Sequence, residues 1–485
     1  MTFSRLKLKL KLIYRNLNVR KSKMKRLIEY LDREYKKRTP RSHSMFERAA
    51  KVMIRGGSHT LRLWKPYPFF PVSAHGATVT DLDGSTYLDY WQGHYANLLG
   101  HNPEVIRQEL EPYLAAGSLH TGFENSVQIE LAEKILTALG QPGLKIRFTT
   151  SGTLAATYAI MLAMGYTGRH YILKIGGGWH GSSPYLLKGV KFHPGRGFNQ
   201  VDSAGLPPEL ARHIIVTRFN DQEQLEKTFK RYGSKLAAFI LEPFIGVGGF
   251  LFCSPEYLKL ARKLADDYGV VLIFDEIISG FRFCPSGLQK LYGVRPDLSL
   301  FGKLIGGGQA VAAVAGRAKI MSGCETAGAR GRHVNFEGGT FSAHEEYMRA
   351  GLAMLNYLTS QGKEIYPRLG QLATRLRQGI EQAFAAEGLK VVCTGRAQTA
   401  IAGSSFFMVN FPQKDNISYS SPEDVWDPAR SDVFLREEAL KLALLINGVH
   451  VVHGGGCLST AHTEQDIDRT IEAYRQAASI FRRFL

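Results

Sequence analysis

No uninterrupted apolar run in this chain is long enough to cross a bilayer, so no membrane-spanning helix is expected. Its N-terminus lacks an apolar core followed by a small-residue cleavage site, so the expectation is a cytoplasmic protein without a secretory signal. Cysteine is scarce. Cys253, Cys284, Cys324, Cys393 and Cys457 are odd in number, scattered and free of CxxC spacing. That pattern excludes a disulfide framework and a zinc site, and it predicts reduced thiols with no bound metal. Acidic residues are outnumbered, 43 against 61 Lys and Arg, for a net charge of +18. The excess is not spread evenly, because residues 1–42 carry +12 and the remainder +6. A tail property of this kind does not make the body a nucleic-acid binder. At 485 residues the chain predicts two or three domains.

What the chain does have is concentrated between Val270 and Gln309. Val270 to Phe274 is an apolar, β-branched run of strand length, suited to the centre of a buried parallel sheet. Asp275 stands at its C-terminal end, where open α/β sheets collect ligand-binding groups. A second apolar segment, Leu298 to Phe301, ends in Gly302-Lys303, and Gly306, Gly307 and Gly308 relieve crowding around the lysine. An acid at one strand end and a lysine at a later one could meet across a small cleft. Taken singly, a capping Asp and a solvated Lys are the ordinary explanations.

Other stretches add to the pair. Ser151-Gly152-Thr153 ends a strand and opens the helix AATYAIMLAMGY, so backbone N–H groups and hydroxyls form either an anion site or a plain N-cap. Gly176 to Gly181 formally satisfies G-x-G-x-x-G, with Asp202 at a suggestive distance for a ribose contact. A dinucleotide fingerprint requires a helix to begin at these glycines, and Ser182, Ser183 and Pro184 followed by KGVKFHPGRGF make a poor one. Glu242-Pro243 closes the strand AAFILEP. Strands at 145–149, 171–175, 213–217, 237–241 and 270–274 alternate with helices, which predicts a mostly parallel α/β sheet. Residues 69–90 read as strands around a turn at Asp83-Gly84, and helical periodicity recurs in 103–116 and 126–139. The polar stretch 412–430 reads as a loop or flap. At the N-terminus the Leu-Lys alternation over 6–12 is strand-like or interfacial. From Met24 the pattern becomes helical, with Leu27, Ile28, Leu31 and Tyr35 on one face. Residues 1–42 are either a membrane-surface or partner arm or, as the favoured expectation, a solvated extension.

Together these motifs resemble the class III, fold type I, pyridoxal-phosphate enzymes, with DE[IV] at one strand end, a GK-x-x-GGG loop after another, and the likeness running from about residue 44 to the C-terminus. VTDLDGSTYLDY and Gly100-His101-Asn102-Pro103 resemble the family's N-terminal sheet and GH-x-P turn. The resemblance implies a large domain with a mostly parallel sheet plus a smaller α+β domain. It divides the chain into a basic extension (1–43), an N-terminal part of the small domain (44–95), a cofactor-binding domain (96–345) and a C-terminal part (346–485). It implies pyridoxal 5'-phosphate as cofactor, paired with Asp275 at the ring nitrogen and held by Lys303 as a Schiff base. Ser151, Gly152 and Thr153 would take the phosphate, with Leu154 standing where relatives carry Glu. Trp179 and Ile277 would cover the two ring faces, with His180 and Glu242 beside them. Gly338 to Ser342 resembles the segment whose threonine, here Thr340, reaches the phosphate of a neighbouring subunit, which implies a homodimer with a shared active site.

The resemblance is greatest to glutamate-1-semialdehyde aminomutase and the β-amino-acid aminotransferases. The substrate side would draw on His59, Arg62, His94 and His453. Residues 452–462 lack the acid of the aminomutases, and His94 replaces an expected tryptophan, so an aminotransferase acting between a small amine donor and a carbonyl acceptor is the main expectation. An aminomutase is the alternative, and a non-enzymatic basic binding protein that keeps the fold is a third class. Where the β-amino-acid enzymes set arginines against the substrate carboxylate, the nearest matches are His59 and His453, with Arg62 displaced along the segment. Histidines cannot form an arginine's bidentate carboxylate clamp, so the expected substrate is an amine or a biosynthetic intermediate, not a simple β-amino acid.

Overall fold

The computed structural model describes residues 3–117, 121–325, 333–397, 401 and 403–485, with side chains from residue 21 onward. Its centre is a seven-stranded sheet in the order Leu144–Thr149, Ala312–Arg317, Leu298–Phe301, Val271–Asp275, Leu236–Leu241, Tyr171–Ile175, Ile214–Thr217. Ala312–Arg317 pairs antiparallel with both neighbours, and the four strands beyond Leu298–Phe301's outer edge continue in parallel. The expected parallel α/β sheet is therefore present, with one reversed strand inside it. Leu236–Leu241 and Val271–Asp275 are buried along their whole length, as apolar runs covered by helices on both faces must be. One covering helix, Gly152–Thr167, buries Ala155, Ala156, Ala159 and Ala163 against the sheet. The short side chains let it lie close to the strands.

A smaller α+β part completes the fold. Pro71–His75, Thr78–Asp81, Thr86–Asp89 and Val449–His450 form a four-stranded sheet in that order. The predicted turn at Asp83-Gly84 links two of its antiparallel strands. Val392–Thr394, Phe406–Asn410 and Gly455–Cys457 form a three-stranded sheet. The helix Glu345–Ala386 spans 42 residues and packs along the C-terminal helix Glu464–Phe484. It also fixes the loop after Lys303, because a Cβ on Gly351 would collide with Ile305 O and one on Gly307 with Ala350 O. The reading of 412–430 as a loop holds except for a short helix, Pro422–Trp426.

The N-terminus departs from expectation. The backbone is one helix from Phe3 to Arg38, so residues 6–12 are not a strand. Leu and Lys are both strong helix formers, and alternation over a few residues does not outweigh that preference. The interfacial reading of 6–12 concerns side chains outside the described residues. From residue 24 the helix is not a solvated extension either. Leu27 and Leu31 are fully buried and Tyr35 is 1% exposed, in the core shared with Leu442, Tyr474 and Phe481. The Lys23 ammonium donates to the carbonyl of Leu485. Arg41 N and Ser42 Oγ both donate to the Asp83 carboxylate at 2.7 Å. Leu31→Ala should therefore lower the unfolding free energy by about 2–5 kcal/mol, read from urea titration, as for other buried leucines. Among the described residues no helix is long and apolar enough to cross a membrane, no group of ligating side chains could hold a metal, and all five cysteines are free thiols.

Candidate active site

The parallel strands place their C-terminal ends along one sheet edge, and the motifs of the sequence follow from those ends. Asp275 and Leu300 are direct partners on adjacent strands, so Asp275 and Lys303 emerge side by side. Lys303 is half-buried and has φ +48°, in the left-handed region that non-glycine residues rarely occupy. Burial pulls its ammonium down to about 8, while the charge of Asp275 works in the opposite direction.

Each neighbour is held by a specific bond. Asp275 is buried, and its Oδ1 accepts from Ile277 N at 3.1 Å. Its Oδ2 pairs with His180 Nδ1 at 2.8 Å. Burial lowers the affinity of His180 for a second proton against that bond, so the neutral ring donates from Nδ1. His180 Nε2 is buried and has no hydrogen-bond partner among the described residues. Glu242 accepts from Trp179 N at 2.9 Å and Gly246 N at 3.0 Å. Burial, and then the charge of Asp275, push it up to about 8. Trp179 stands at the rim, 36% exposed.

The helix start closes the group. Ser151 Oγ accepts from Leu154 N at 3.3 Å, so the N-cap is real, and Thr153 Oγ1 accepts from Ser182 N at 3.1 Å. A Cβ on Gly152 would lie 3.2 Å from Ile277 Cδ1, and one on Gly302 would lie 2.9 Å from the same atom. Ile277 thus lies between the helix start and the lysine strand. The glycine loop is not a dinucleotide site. No helix begins at Gly176–Gly181, and Asp202 is committed to Val190 N at 2.7 Å and Lys191 N at 2.9 Å.

Within electrostatic reach of Lys303, Arg62 Nε donates to His94 Nε2 at 3.1 Å, and the His59 and His94 rings meet edge to face at 4.8 Å. Burial, His59, Arg62 and Lys303 together hold His94 down to about 3, so its ring is neutral and serves as the acceptor. The contacts of His453 are with other residues. It pairs with Glu437 Oε2 at 2.8 Å and meets the Trp426 ring edge to face. No described bond joins it to His59, Arg62 or His94. Thr340 is exposed on a loop whose Gly338 carbonyl accepts from Thr149 Oγ1 at 3.0 Å.

The donor set suits a flat phosphorylated pyridine. It comprises a helix start for the phosphate, an acid for the ring nitrogen, an amine, an aromatic and an aliphatic face, and a buried imidazole nitrogen without a hydrogen-bond partner among the described residues. Comparison with known proteins decides the family. The family model described as "Aminotransferase class-III" matches residues 62–407. The chain belongs to the class III aminotransferases. It is 35% identical over 447 residues to glutamate-1-semialdehyde 2,1-aminomutase of Akkermansia muciniphila, covering 90% of this chain and 99% of that one. An omega-transaminase from Sphaerobacter thermophilus superposes with a TM-score of 0.81 at 30% identity, covering 91% and 98%. A β-phenylalanine aminotransferase from Variovorax paradoxus gives 0.78 at 28%, covering 93% and 96%. The class III membership makes the chain an enzyme of the fold type I architecture, with pyridoxal phosphate as its cofactor.

Some residues that build the site were not singled out from the sequence. Lys174, fully buried on its strand, donates to Gly178 O at 3.0 Å and Leu186 O at 3.2 Å and so props the Trp179–His180 loop from behind. Glu276 accepts from Leu288 N at 2.6 Å and Ser279 Oγ at 3.1 Å, folding the chain back after Asp275. Glu276 is the second residue of the DE[IV] motif, whereas Lys174 has no sequence signal beyond its place near a strand end.

Proposed function

We propose that this enzyme moves an amino group on a small carboxylate-bearing amino compound, and that the 2,1-aminomutation of glutamate-1-semialdehyde is the first reaction to test. The observation that carries amino transfer is the convergence of Lys303, Asp275, His180 and Glu242 at one sheet edge. Pyridoxal phosphate, when bound, supplies an electron sink for the carbon that bears the substrate amine. Ser151, Gly152 and Thr153 would hold its phosphate through a helix N-terminus, with Thr340 of a second copy reaching the same group in a homodimer. Asp275 would keep the ring nitrogen protonated, and His180 would fix the orientation of that carboxylate. Trp179 and Ile277 would cover the two ring faces, and Glu242 would lie at the ring's edge. Lys303 would hold the cofactor at rest. Displaced by the substrate amine, it would carry a proton to and from the reacting carbon. An amine drawn down to about 8 is suited to both halves of that exchange.

His59, Arg62 and His94 supply the substrate side. The guanidinium has donors left after its Nε bonds His94, and these fit a carboxylate. That arrangement supports Arg62, despite its displacement along the segment, as the carboxylate partner. His453, bonded to Glu437, fits this role less well.

Likeness to a named aminomutase over 90% of the chain supports transfer within one molecule. A specific observation favours the second reading, transfer between two molecules. Residues 452–462 carry no acid, and His94 stands in place of an expected tryptophan. The deciding experiment supplies glutamate-1-semialdehyde alone, then a panel of amine donors, β-phenylalanine among them, with a keto-acid acceptor. Turnover of the first without any co-substrate supports the aminomutase. Turnover of the second alone would reject it for the aminotransferase, and a protein that holds no cofactor would reject both.

A further inference from the structure

The backbone that delivers His94 to the site has a conformation that side chains disfavour. Gln92, Gly93, His94 and Tyr95 have φ values of +45°, +61°, +59° and +67°. Four successive residues in the left-handed region, three of them not glycine, need an external hold. Asp89 provides it. Its Oδ1 accepts from Trp91 N at 3.0 Å, its Oδ2 accepts from Gln92 N at 2.9 Å, and its carbonyl accepts from Gln92 Nε2 at 2.8 Å. The carboxylate is itself buried, and two histidines from distant segments bond it. His101 Nε2 meets Oδ2 at 2.8 Å, and His450 Nδ1 meets Oδ1 at 2.8 Å. Burial works against its charge, but these two bonds hold it well below the usual carboxylate range. An ionised clamp of this kind accepts four donors at once, one from the first residue of the turn, one from Trp91 just before it and two from the histidines.

What the turn presents lies within electrostatic reach of the lysine. The His94 ring lies 4.1 Å from that of Trp91 and accepts the Arg62 Nε–H. Just beyond the turn, Asn97 Oδ1 lies 3.1 Å from where a Cβ on Gly308 would stand, in the glycine loop that follows Lys303. We infer that Asp89 is a positioning residue for substrate binding, locking the left-handed turn Gln92–Tyr95 so that His94 aims Arg62 at the substrate's carboxylate. The inference rests on the proposal that Arg62 takes that carboxylate. It adds a residue that touches neither cofactor nor substrate, together with its two histidine partners.

The test uses the holoenzyme and propionate, an unreactive carboxylate, with binding read from the visible absorbance of the bound cofactor. Wild type, Asp89→Asn, His94→Ala and the double variant are compared. Each single variant should bind propionate about tenfold more weakly, and the double variant no more weakly than His94→Ala alone, because both changes remove one device. A merely structural Asp89 would instead give multiplied losses, or a cofactor band altered before propionate is added, and either overturns the inference. So does Asp89→Asn binding propionate as wild type does, or a cofactor-loaded wild type that does not bind it at all. Should Asp89→Asn fail to fold, His450→Gln with and without His94→Ala decides on the same two patterns. A wild type whose Lys303 cannot be fixed to cofactor by borohydride marks failure of the amino-transfer reading, which is a separate result from absent propionate binding.

Discussion

Lys303→Ala is expected to lower turnover by about 10⁴-fold, the upper range for loss of a positioned acid–base group. The amine would both hold the cofactor at rest and move the proton at the reacting carbon, so one substitution removes two roles. Borohydride should fix cofactor to wild type and not to the variant, while the phosphate site at Ser151–Thr153, which does not involve Lys303, should still retain cofactor reversibly. A variant that keeps more than a tenth of wild-type turnover would place the chemistry elsewhere. The pH dependence follows from the same group. Burial lowers Lys303 to about 8, and the free amine is the form that takes a proton from substrate. In wild type, kcat limited by this step should rise from pH 7 through about 8 and level off above it. A profile flat across that window would mean that proton transfer by this amine does not limit the rate.

The parts of this site visible in the sequence were those tied to regular strands. Val271–Asp275 and Leu298–Phe301 are apolar runs with abrupt ends, and a residue at such an end must point out of the sheet edge. The rejection of a dinucleotide site was equally legible, since Pro184 and the glycines after it cannot continue a helix from Gly178. Two kinds of feature were not legible. A left-handed turn built from Gln92, His94 and Tyr95 carries no glycine signature at three of its four positions, so nothing local announces it. Asp89, His101 and His450 come from strand, turn and a second strand 361 residues away, and no spacing rule joins them. The docking of Leu27 and Leu31 is hidden from the sequence for a related reason. The apolar stripe is local, but the surface that receives it is made by the segments Leu435–Leu440, Lys441–Leu445 and Glu464–Phe484 near the other end of the chain.

Asp275→Asn should cost about 10²–10⁴-fold in kcat, with cofactor content unchanged, because the substitution preserves shape and removes the charge that would keep the ring nitrogen protonated. The His180 bond makes this a demanding substitution. The single amide oxygen can still accept from His180 Nδ1, but the Ile277 N–H then loses its acceptor, so the loss combines the missing charge with one broken backbone hydrogen bond. The pocket also holds a second acid that invites the opposite expectation. Glu242 is raised to about 8 by burial and by the charge of Asp275. Without that charge it should ionise at lower pH and restore one negative group to the pocket. It cannot take over the role, because its two oxygens are committed to Trp179 N and Gly246 N, which hold them away from the position of Asp275. Glu242→Gln is therefore expected to be the milder change, within about tenfold of wild type, and the double variant should be no worse than Asp275→Asn by more than that factor. If Glu242→Gln were instead the more damaging of the two, the assignment of the acids would have to be exchanged: Glu242 would be the group that governs the ring nitrogen, and Asp275 would serve to orient His180.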